Sequence, residues 1–400
     1  MPVPLLFASP TAKLSWREEA SLEFGLNHPE KRIVLVSFSP DSKYLAVGFT
    51  RLIQVWDLQQ LGLQRASPRF AIRPNHEVTS CAWIKSDYLV HGHLNGRVGV
   101  SAVEGLALDM KVFRAGPSGD ISSFTFLGEG GILAVGVGDA VYLWRTGNLQ
   151  FEWKALGSLP APPVIDHLSL QDLKVTSIFA LGKSTLLVSY GESAVVTWDV
   201  QSLDPVQATA TGGYRITGRI TDLCSKTQRF LVTDTDRGLY MLHNVNSPIV
   251  ARIYRPTSDS LLQRGPLVRE ARFLSEDVVA GSDSSKVVLW DSEGKQLQTV
   301  GSDELDFIVS FTSRYDEKTD VGYMAIAVNN GNESSVRLWR TFAVDEDGVP
   351  ADRDALGTRI LNTMILICSV TLAVLAVIAG LGDLNGKLNT TFYHSPSASL

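Results

Sequence analysis

The sequence predicts an all-β fold made of repeats, followed by one α-helix that crosses a membrane. Three observations support this prediction. A short apolar segment ending in Trp recurs along the chain, its copies lie at similar intervals, and one stretch near the C-terminus carries no charge over 22 residues. The 33 glycines fit many short strands joined by tight turns.

The recurring segment reads as a strand that ends in Trp-Asp or a related pair. Three copies have Trp-Asp, two have Trp-Arg, and two lack the Trp. Successive copies are 43 to 54 residues apart, and this interval is typical of a four-stranded propeller blade with loop insertions. Seven copies predict a seven-bladed β-propeller over residues 13–341. The equivalent positions, with the Asp that follows three of them, are Trp56, Asp57, Ser101, Trp144, Trp198, Asp199, Leu242, Trp290, Asp291 and Trp339.

These repeats resemble those of the WD-repeat family, most specifically in the first unit, from Asn27-His28 to Trp56-Asp57. In that family a His near the start of each unit joins a buried hydrogen-bond network with an Asp, a Ser or Thr, and the Trp. By resemblance, His28 and His76 take this structural role, with His167 as a weaker third candidate. Val47 stands where the first unit would carry the Ser, so the network is incomplete there.

The same resemblance implies that a strand from the N-terminal part closes the ring. The seventh unit has no fourth strand after Trp339, and residues 13–25 have the length to supply it. Such a strand would remove the open edge of the last blade. We expect Leu22 and Phe24 to pack against Trp339, and residues 1–12 to form an N-terminal extension.

The uncharged stretch, residues 360–381, predicts a transmembrane helix. At 1.5 Å per residue it is about 33 Å long, enough for a hydrocarbon core of ~30 Å. A buried core helix is the alternative, but the stretch has no polar face. An acidic linker, residues 342–359, precedes the helix. A short polar tail, residues 382–400, follows it, and the layout resembles that of a tail-anchored protein.

The charges that flank this helix predict its orientation. Arg340, Arg353 and Arg359 lie on the N-terminal side and only Lys387 on the other, so the propeller should face the cytosol. Residues 1–12 also lack the features of a signal peptide. We expect a membrane of the endoplasmic reticulum or another secretory compartment. Asn389 is then a possible glycosylation site on the lumenal side.

The sequence contains no recognisable catalytic, cofactor or metal site. Gly182-Lys-Ser184 lacks the earlier glycine of a phosphate loop, and His91-Gly-His93 lacks a third ligand and is predicted to form part of a hairpin. The three cysteines are far apart, which predicts buried free thiols. A net charge of −6 gives no indication of nucleic-acid binding. No small-molecule substrate is evident, and we expect a protein without enzymatic activity.

A basic segment, residues 252–272, is the candidate partner-binding loop. Loops on a rigid scaffold often carry binding residues, and a cluster of arginines suits an acidic peptide or lipid headgroup. A scattered, solvated surface is the alternative. The candidate residues are Arg252, Arg255, Arg264, Arg269 and Arg272.

Together these features predict a membrane-tethered scaffold that binds proteins or peptides on the propeller. The alternative is a membrane-anchored guanine-nucleotide exchange factor that regulates a small GTPase in vesicle trafficking. The exchange factor that starts COPII coat assembly has a similar layout, with a cytosolic propeller and one C-terminal span. That family inserts a Gly-rich loop in its first blade, whereas only Phe49-Thr50-Arg51 lies between the corresponding strands here.

Overall fold

Seven four-stranded sheets make up the computed structural model. It divides into a large unit, Trp16–Thr341, and a second unit formed by Met1–Ser15 and Phe342–Leu400, of which only the strand ends 13–15 and 342–344 are described. The structure describes residues 13–24, 32–60, 67–103, 111–128, 131–147, 152–162, 173–191, 194–208, 218–234, 237–245, 247–256, 270–283, 286–301, 307–316, 321–330 and 333–344.

The sheets are the seven predicted blades, and each runs from an inner strand to an outer one. Blades 1 to 3 are β2 (Ile33–Phe38), β3 (Tyr44–Phe49), β4 (Leu52–Asp57) and β5 (Phe70–Ile72); β6 (Val78–Ile84), β7 (Tyr88–His93), β8 (Arg97–Ala102) and β9 (Lys111–Arg114); and β10 (Ile121–Leu127), β11 (Ile132–Val137), β12 (Ala140–Thr146) and β13 (Trp153–Ser158). A single 3-10 turn, Leu58–Gln60, follows β4.

Blades 4 to 6 continue the pattern, and blade 7 combines strands from both ends of the sequence. They are β14 (Val175–Ala180), β15 (Thr185–Tyr190), β16 (Ala194–Asp199) and β17 (Pro205–Ala208); β18 (Arg219–Cys224), β19 (Arg229–Asp234), β20 (Leu239–Asn244) and β21 (Ser247–Tyr254); β22 (Ala271–Phe273), β23 (Val278–Asp283), β24 (Lys286–Asp291) and β25 (Gln296–Gly301); and β26 (Phe307–Asp316), β27 (Val321–Asn330), β28 (Glu333–Val344) and β1 (Lys13–Phe24).

The second and third strands of the blades form the core. All six residues of β3 and of β11 are buried, because neighbouring blades cover both faces of these strands. Every outer strand of blades 2 to 6 instead exposes at least one large apolar side chain. The continuous apolar runs in the sequence therefore mark the middle of each sheet.

The strand register confirms six of the seven equivalent positions and corrects the seventh. In blade 5 the predicted residue was Leu242, but His243 occupies the place of the Trp, because His243 pairs with Phe230 as Trp198 pairs with Leu186 in blade 4. A shift of one residue moves a side chain to the opposite face of a sheet. The remaining pairs are Trp56 with Leu45, Ser101 with Leu89, Trp144 with Leu133, Trp290 with Val279, and Trp339 with Met324.

The Asp of the Trp-Asp pair holds the turn that leads to the outer strand. Asp199 Oδ1 accepts hydrogen bonds from the amides of Gln201 (2.8 Å) and Ser202 (2.9 Å), and Ser184 Oγ donates to Oδ2 (3.1 Å). The bonds from Ser202 and Gln201 are the main reason why the pKa of Asp199 is lowered. Asp57 and Asp291 accept backbone amides in the same way.

Replacement of Asp199 by Ala should lower the free energy of unfolding by about 1 kcal/mol, the net value of such hydrogen bonds. Asp204→Ala is the matched control, because Asp204 is an exposed Asp in the same turn and only its main chain takes part in these bonds. Urea unfolding of both variants measures the difference. Equal midpoints for the two variants would show that the Asp199 turn adds nothing to stability.

β1 pairs with β28 and is the outer strand of blade 7, as the sequence predicts. The expected contact partner was wrong. Leu22 and Phe24 pack in a cluster with Val336 and Leu338, whereas Trp339 packs in a different cluster with Trp16. Side chains alternate along a strand, so Leu338 and Trp339 face opposite sides of β28.

A polar contact links each blade to the next, so the ring does not depend on apolar packing alone. Most of these contacts join a side chain to the main chain of a neighbouring inner strand. In order from blades 1 and 2 to blades 7 and 1, the linked residues are Trp83 and Ser37, Thr79 and Ile121, Ser123 and Ile178, Ser177 and Ile220, Asp222 and Phe273, Ser313 and Phe273, and Asn329 and Ile33.

Several predictions fall on residues outside the described ranges. These are the membrane helix 360–381, the polar tail 382–400 with Asn389, nearly all of the linker 342–359, and the structural roles of His28 and His167. Within the described residues there is no helix long and apolar enough to cross a membrane. The one linker segment that is described, residues 342–344, continues β28 to Val344.

Candidate functional site

The inner strands of all seven blades line a central channel with a volume of about 470 Å³. This is within the size range of sites that hold a small ligand or a few side chains. Every blade contributes residues to the lining of this channel. We therefore treat it as the candidate site.

A β-bulge turns one side chain of each inner strand towards the channel in six of the seven blades. The pairing with the second strand skips the residue after the first buried one, for example Val34 between Ile33 and Leu35. Bulges are a common way to redirect a side chain. Blade 6 has regular pairing and carries Arg272 at this position. We call the seven residues the channel ring: Val34, Thr79, Ser122, Thr176, Thr221, Arg272 and Val309.

The channel ring is divided by chemistry. Blades 2 to 5 contribute hydroxyl groups, blade 6 contributes the Arg, and the neighbouring blades 7 and 1 contribute Val309 and Val34. Val34 is 40 % exposed. One sector of the channel wall is therefore apolar and the rest is polar.

A second ring lies two residues before the channel ring, at or just before the start of each inner strand, where the chain arrives from the preceding blade. Six of its seven positions are charged. Lys174 and Asp120, from blades 4 and 3, form an ion pair at 2.6 Å. Phe307 is the exception and is 52 % exposed. This mouth ring consists of Arg32, Glu77, Asp120, Lys174, Arg219, Glu270 and Phe307.

Arg272 ties three blades together at the wall of the channel. Its guanidinium forms an ion pair with Glu270 at 3.5 Å and donates to the carbonyl oxygens of Thr221, in blade 5, and Phe311, in blade 7. Beside it, Asp222 accepts the amide of Phe273 at 2.8 Å. Burial raises the pKa of Asp222, while Arg272 and the donated amides oppose that rise. This cluster holds blades 5 to 7 in place.

The structure does not bring the five candidate arginines together on one surface. Arg252 lies on the outer strand of blade 5, where it donates to the carbonyl of Glu293 at 2.8 Å, and the exposed Arg255 follows that strand. Arg272 lies on the inner strand of blade 6. Arg264 and Arg269 are outside the described ranges. The described ends of the basic segment therefore lie far apart in the fold, one on the outer strand of blade 5 and the other on the inner strand of blade 6.

Arg219 lines the channel together with Glu270 and Arg272, and it was not among the residues predicted from the sequence. Its position immediately before Ile220-Thr-Asp222 matches that of Lys174 before Val175-Thr-Ser177. That repeated pattern of a cation, an apolar residue and a Thr was a usable signal. Clusters of arginines in the linear sequence do not reveal it, because the residues that line the channel come from seven separate blades.

The predicted role of His76 does not match its position, because its side chain is exposed. Blade 2 instead buries His91 and His93, which belong to β7, and the hairpin turn follows them at Gly96, with φ of 75°. His91 Nδ1 and His93 Nε2 are 3.0 Å apart. The His91 ring lies over Gly99, where any Cβ would collide with it, and its Nε2 is 3.4 Å from Ser101 Oγ.

These histidines are structural parts of blade 2. Burial, with a contribution from His93, lowers the pKa of His91 to about 3, so the ring is neutral near pH 7. The described residues contain no group of three or more His, Cys, Asp or Glu placed to hold a metal ion. Cys81 and Cys224 are free thiols and only partly buried. Although Cys81 keeps some solvent contact, the protein around it removes enough water to raise its pKa to about 12, so it remains a thiol near pH 7.

Comparison of the chain with protein-family models and with curated proteins gave no match. The seven-bladed fold is therefore established by the strand topology, and it is consistent with the WD-repeat type. Likeness to that family rests on the repeats and the register of their Trp positions.

Proposed function

We propose that this chain is a protein-interaction scaffold whose partner docks at the mouth of the central channel. The observation that supports this proposal is the apolar sector of the channel ring, Val34 and Val309, together with the exposed Phe307 at the start of the strand that carries Val309. Phe307 is an exposed aromatic residue in a mouth ring whose other members are charged. Aromatic anchors surrounded by polar groups often provide most of the affinity at protein interfaces.

The rigid ring supports this role, because loops and strand ends on a stable scaffold suit recognition. We further propose that residues 360–381 anchor the protein to a membrane with the propeller in the cytosol, and that it has no catalytic activity. A tether would raise the local concentration of partners at the membrane. Cell fractionation of the full chain and of a variant without residues 360–381 tests the anchor. An unchanged distribution between membrane and soluble fractions would contradict it.

Phe307→Ala should weaken partner binding roughly 30-fold, as expected for the loss of an aromatic anchor worth about 2 kcal/mol. Leu297→Ala is a closely matched control, because Leu297 is also 52 % exposed but lies on the outer strand of blade 6. Proximity labelling in cells with the full chain and both variants identifies the proteins that depend on Phe307, and titration of a purified partner gives the affinity. A labelling pattern shared by all three proteins would contradict docking at the channel mouth.

The structure gives no specific support to the exchange-factor alternative. β3 and β4 of blade 1 are joined by Thr50 and Arg51 alone, so the loop that the exchange factor carries in its first blade has no counterpart between these strands. A nucleotide-exchange assay with the full chain tests this directly. Stimulated release of nucleotide from a small GTPase would contradict a function limited to scaffolding.

A further inference from the structure

The geometry points to an oxyanion site at Arg219, where the channel binds one carboxylate or phosphate group carried by a partner peptide. This inference rests on the proposed scaffold function, since it names the chemistry of the partner. It concerns a part of the mouth two blades away from Phe307. Apolar docking and anion binding can therefore be tested separately.

Three consecutive inner strands carry cations at this part of the wall: Lys174, Arg219 and Arg272. Lys174 is paired with Asp120, and Arg272 is held by Glu270 and two carbonyl oxygens. The guanidinium of Arg219 has no hydrogen bond or ion pair within the described residues, although Glu270 and Arg272 are close enough to influence it. Its N–H groups are therefore open to a ligand.

The surroundings of Arg219 favour a bound anion over water. Its side chain lines the channel and is exposed to the lumen, yet the protein around it removes enough water to lower its pKa, and Glu270 only partly opposes this effect. A guanidinium in such a place gains from an oxyanion that accepts two parallel hydrogen bonds.

The hydroxyl groups of the channel ring contribute little to this binding. Thr176 donates to carbonyl oxygens of blade 4, and Thr221 donates to that of Leu231. Their hydrogens are already used, so they do not act as donors to an anion. The site therefore recognises the negative charge of its ligand through Arg219. Any further specificity comes from contacts with the rest of the peptide that carries the anionic group.

Titration of the purified full-length chain with inorganic phosphate, followed by calorimetry, tests the site. We expect saturable binding that Arg219→Gln weakens at least about tenfold, the loss expected for charge-assisted hydrogen bonds. Arg219→Lys keeps the charge without the paired donors and should bind with intermediate affinity. Arg17→Gln is the matched control, because Arg17 is an exposed Arg on β1, the outer strand of blade 7, and should leave phosphate binding unchanged.

The source of the anion is tested with three hexapeptides that differ only in a central phosphoserine, Glu or Ser. Tighter binding of the phosphoserine or Glu peptide than of inorganic phosphate supports a group presented by a peptide chain. Binding of phosphate alone would overturn the peptide source but retain the anion site. No saturable binding of phosphate or peptide, or equal phosphate affinity of the wild type and Arg219→Gln, would overturn the site. Phe307→Ala should bind phosphate normally, so failure of the docking proposal is seen separately.

Discussion

Deletion of residues 1–26 is expected to open the ring and destabilise the whole propeller. The deletion removes β1, whose Trp16, Leu22 and Phe24 are buried against blade 7 and its neighbours. Burial of a large apolar side chain is worth about 1.5–3 kcal/mol, so three of them amount to roughly 6 kcal/mol. That is a large part of the stability of a typical folded protein. The deletion also leaves β28 as an open sheet edge.

Phe24→Ala isolates the apolar part of this effect. Phe24 packs edge-on against Phe49, with ring centroids 5.1 Å apart, and against Trp56 of blade 1 at 6.1 Å. Truncation of a buried Phe typically costs about 3–5 kcal/mol. Arg17→Ala is the control, because Arg17 lies on the same strand with its side chain exposed. Thermal melts of the three variants measure the effect, and a deletion variant that melts like the full chain would contradict ring closure by β1.

β1 is also held by a polar contact that the sequence did not reveal. Gln298, on the outer strand of blade 6, donates from Nε2 to the carbonyl of Trp16 and accepts the amide of Trp16 at Oε1, both at 3.0 Å. These two bonds join residues 282 positions apart in sequence. Sequence periodicity identifies the strands and their blades, but it carries no signal for pairs of this kind.

The candidate site also combines features that the sequence predicts with features that it does not. The repeats and the closing strand were predictable, because each apolar strand and each Trp leaves a local pattern in the sequence. The channel was not predictable, since its ring depends on a bulge at one residue of each inner strand, such as Thr176 between Val175 and Ser177. A bulge changes which face a residue occupies without changing the residue type. Arg219 and Phe307 are far apart in the sequence, and only the arrangement of the blades shows that they occupy equivalent positions on the inner strands.

In repeats that lack the Trp, the sequence does not define which residue takes its place, and blade 5 is an example. The repeat pattern predicted Leu242 at the Trp position, as the last residue of the degenerate segment 238–242. The register places His243 there, buried and stacked on Phe230 with 5.2 Å between ring centroids and 9° between planes. A neutral imidazole can fill the space of an aromatic ring, so hydrophobicity alone selects the wrong residue.

This position gives the propeller a predicted sensitivity to acid. Burial lowers the pKa of His243 to about 4, below its ordinary value of 6.5. Between these two pH values the unfolded chain binds a proton that the folded chain does not. The contribution of His243 to the free energy of unfolding is therefore fully present above pH 6.5. It decreases towards pH 4 by up to about 1.4 kcal/mol per pH unit. His91 and His93 act in the same direction, because burial also lowers their pKa values.

His243→Phe should remove the share of His243 from that acid sensitivity. Neither ring nitrogen of His243 has a hydrogen-bond partner within the described residues, so a Phe ring replaces the stack on Phe230 without the loss of a polar contact. We expect the variant to be at least as stable as the wild type at pH 7 and more stable by about 2 kcal/mol at pH 5. At pH 5, which is 1.5 units below 6.5, the wild type has lost about 1.4 kcal/mol for each of those units. His76→Phe, at an exposed position, is the control. Urea unfolding at pH 5, 6 and 7 measures the slope, and equal pH dependence of His243→Phe and the wild type would show that His243 is not buried as a neutral ring.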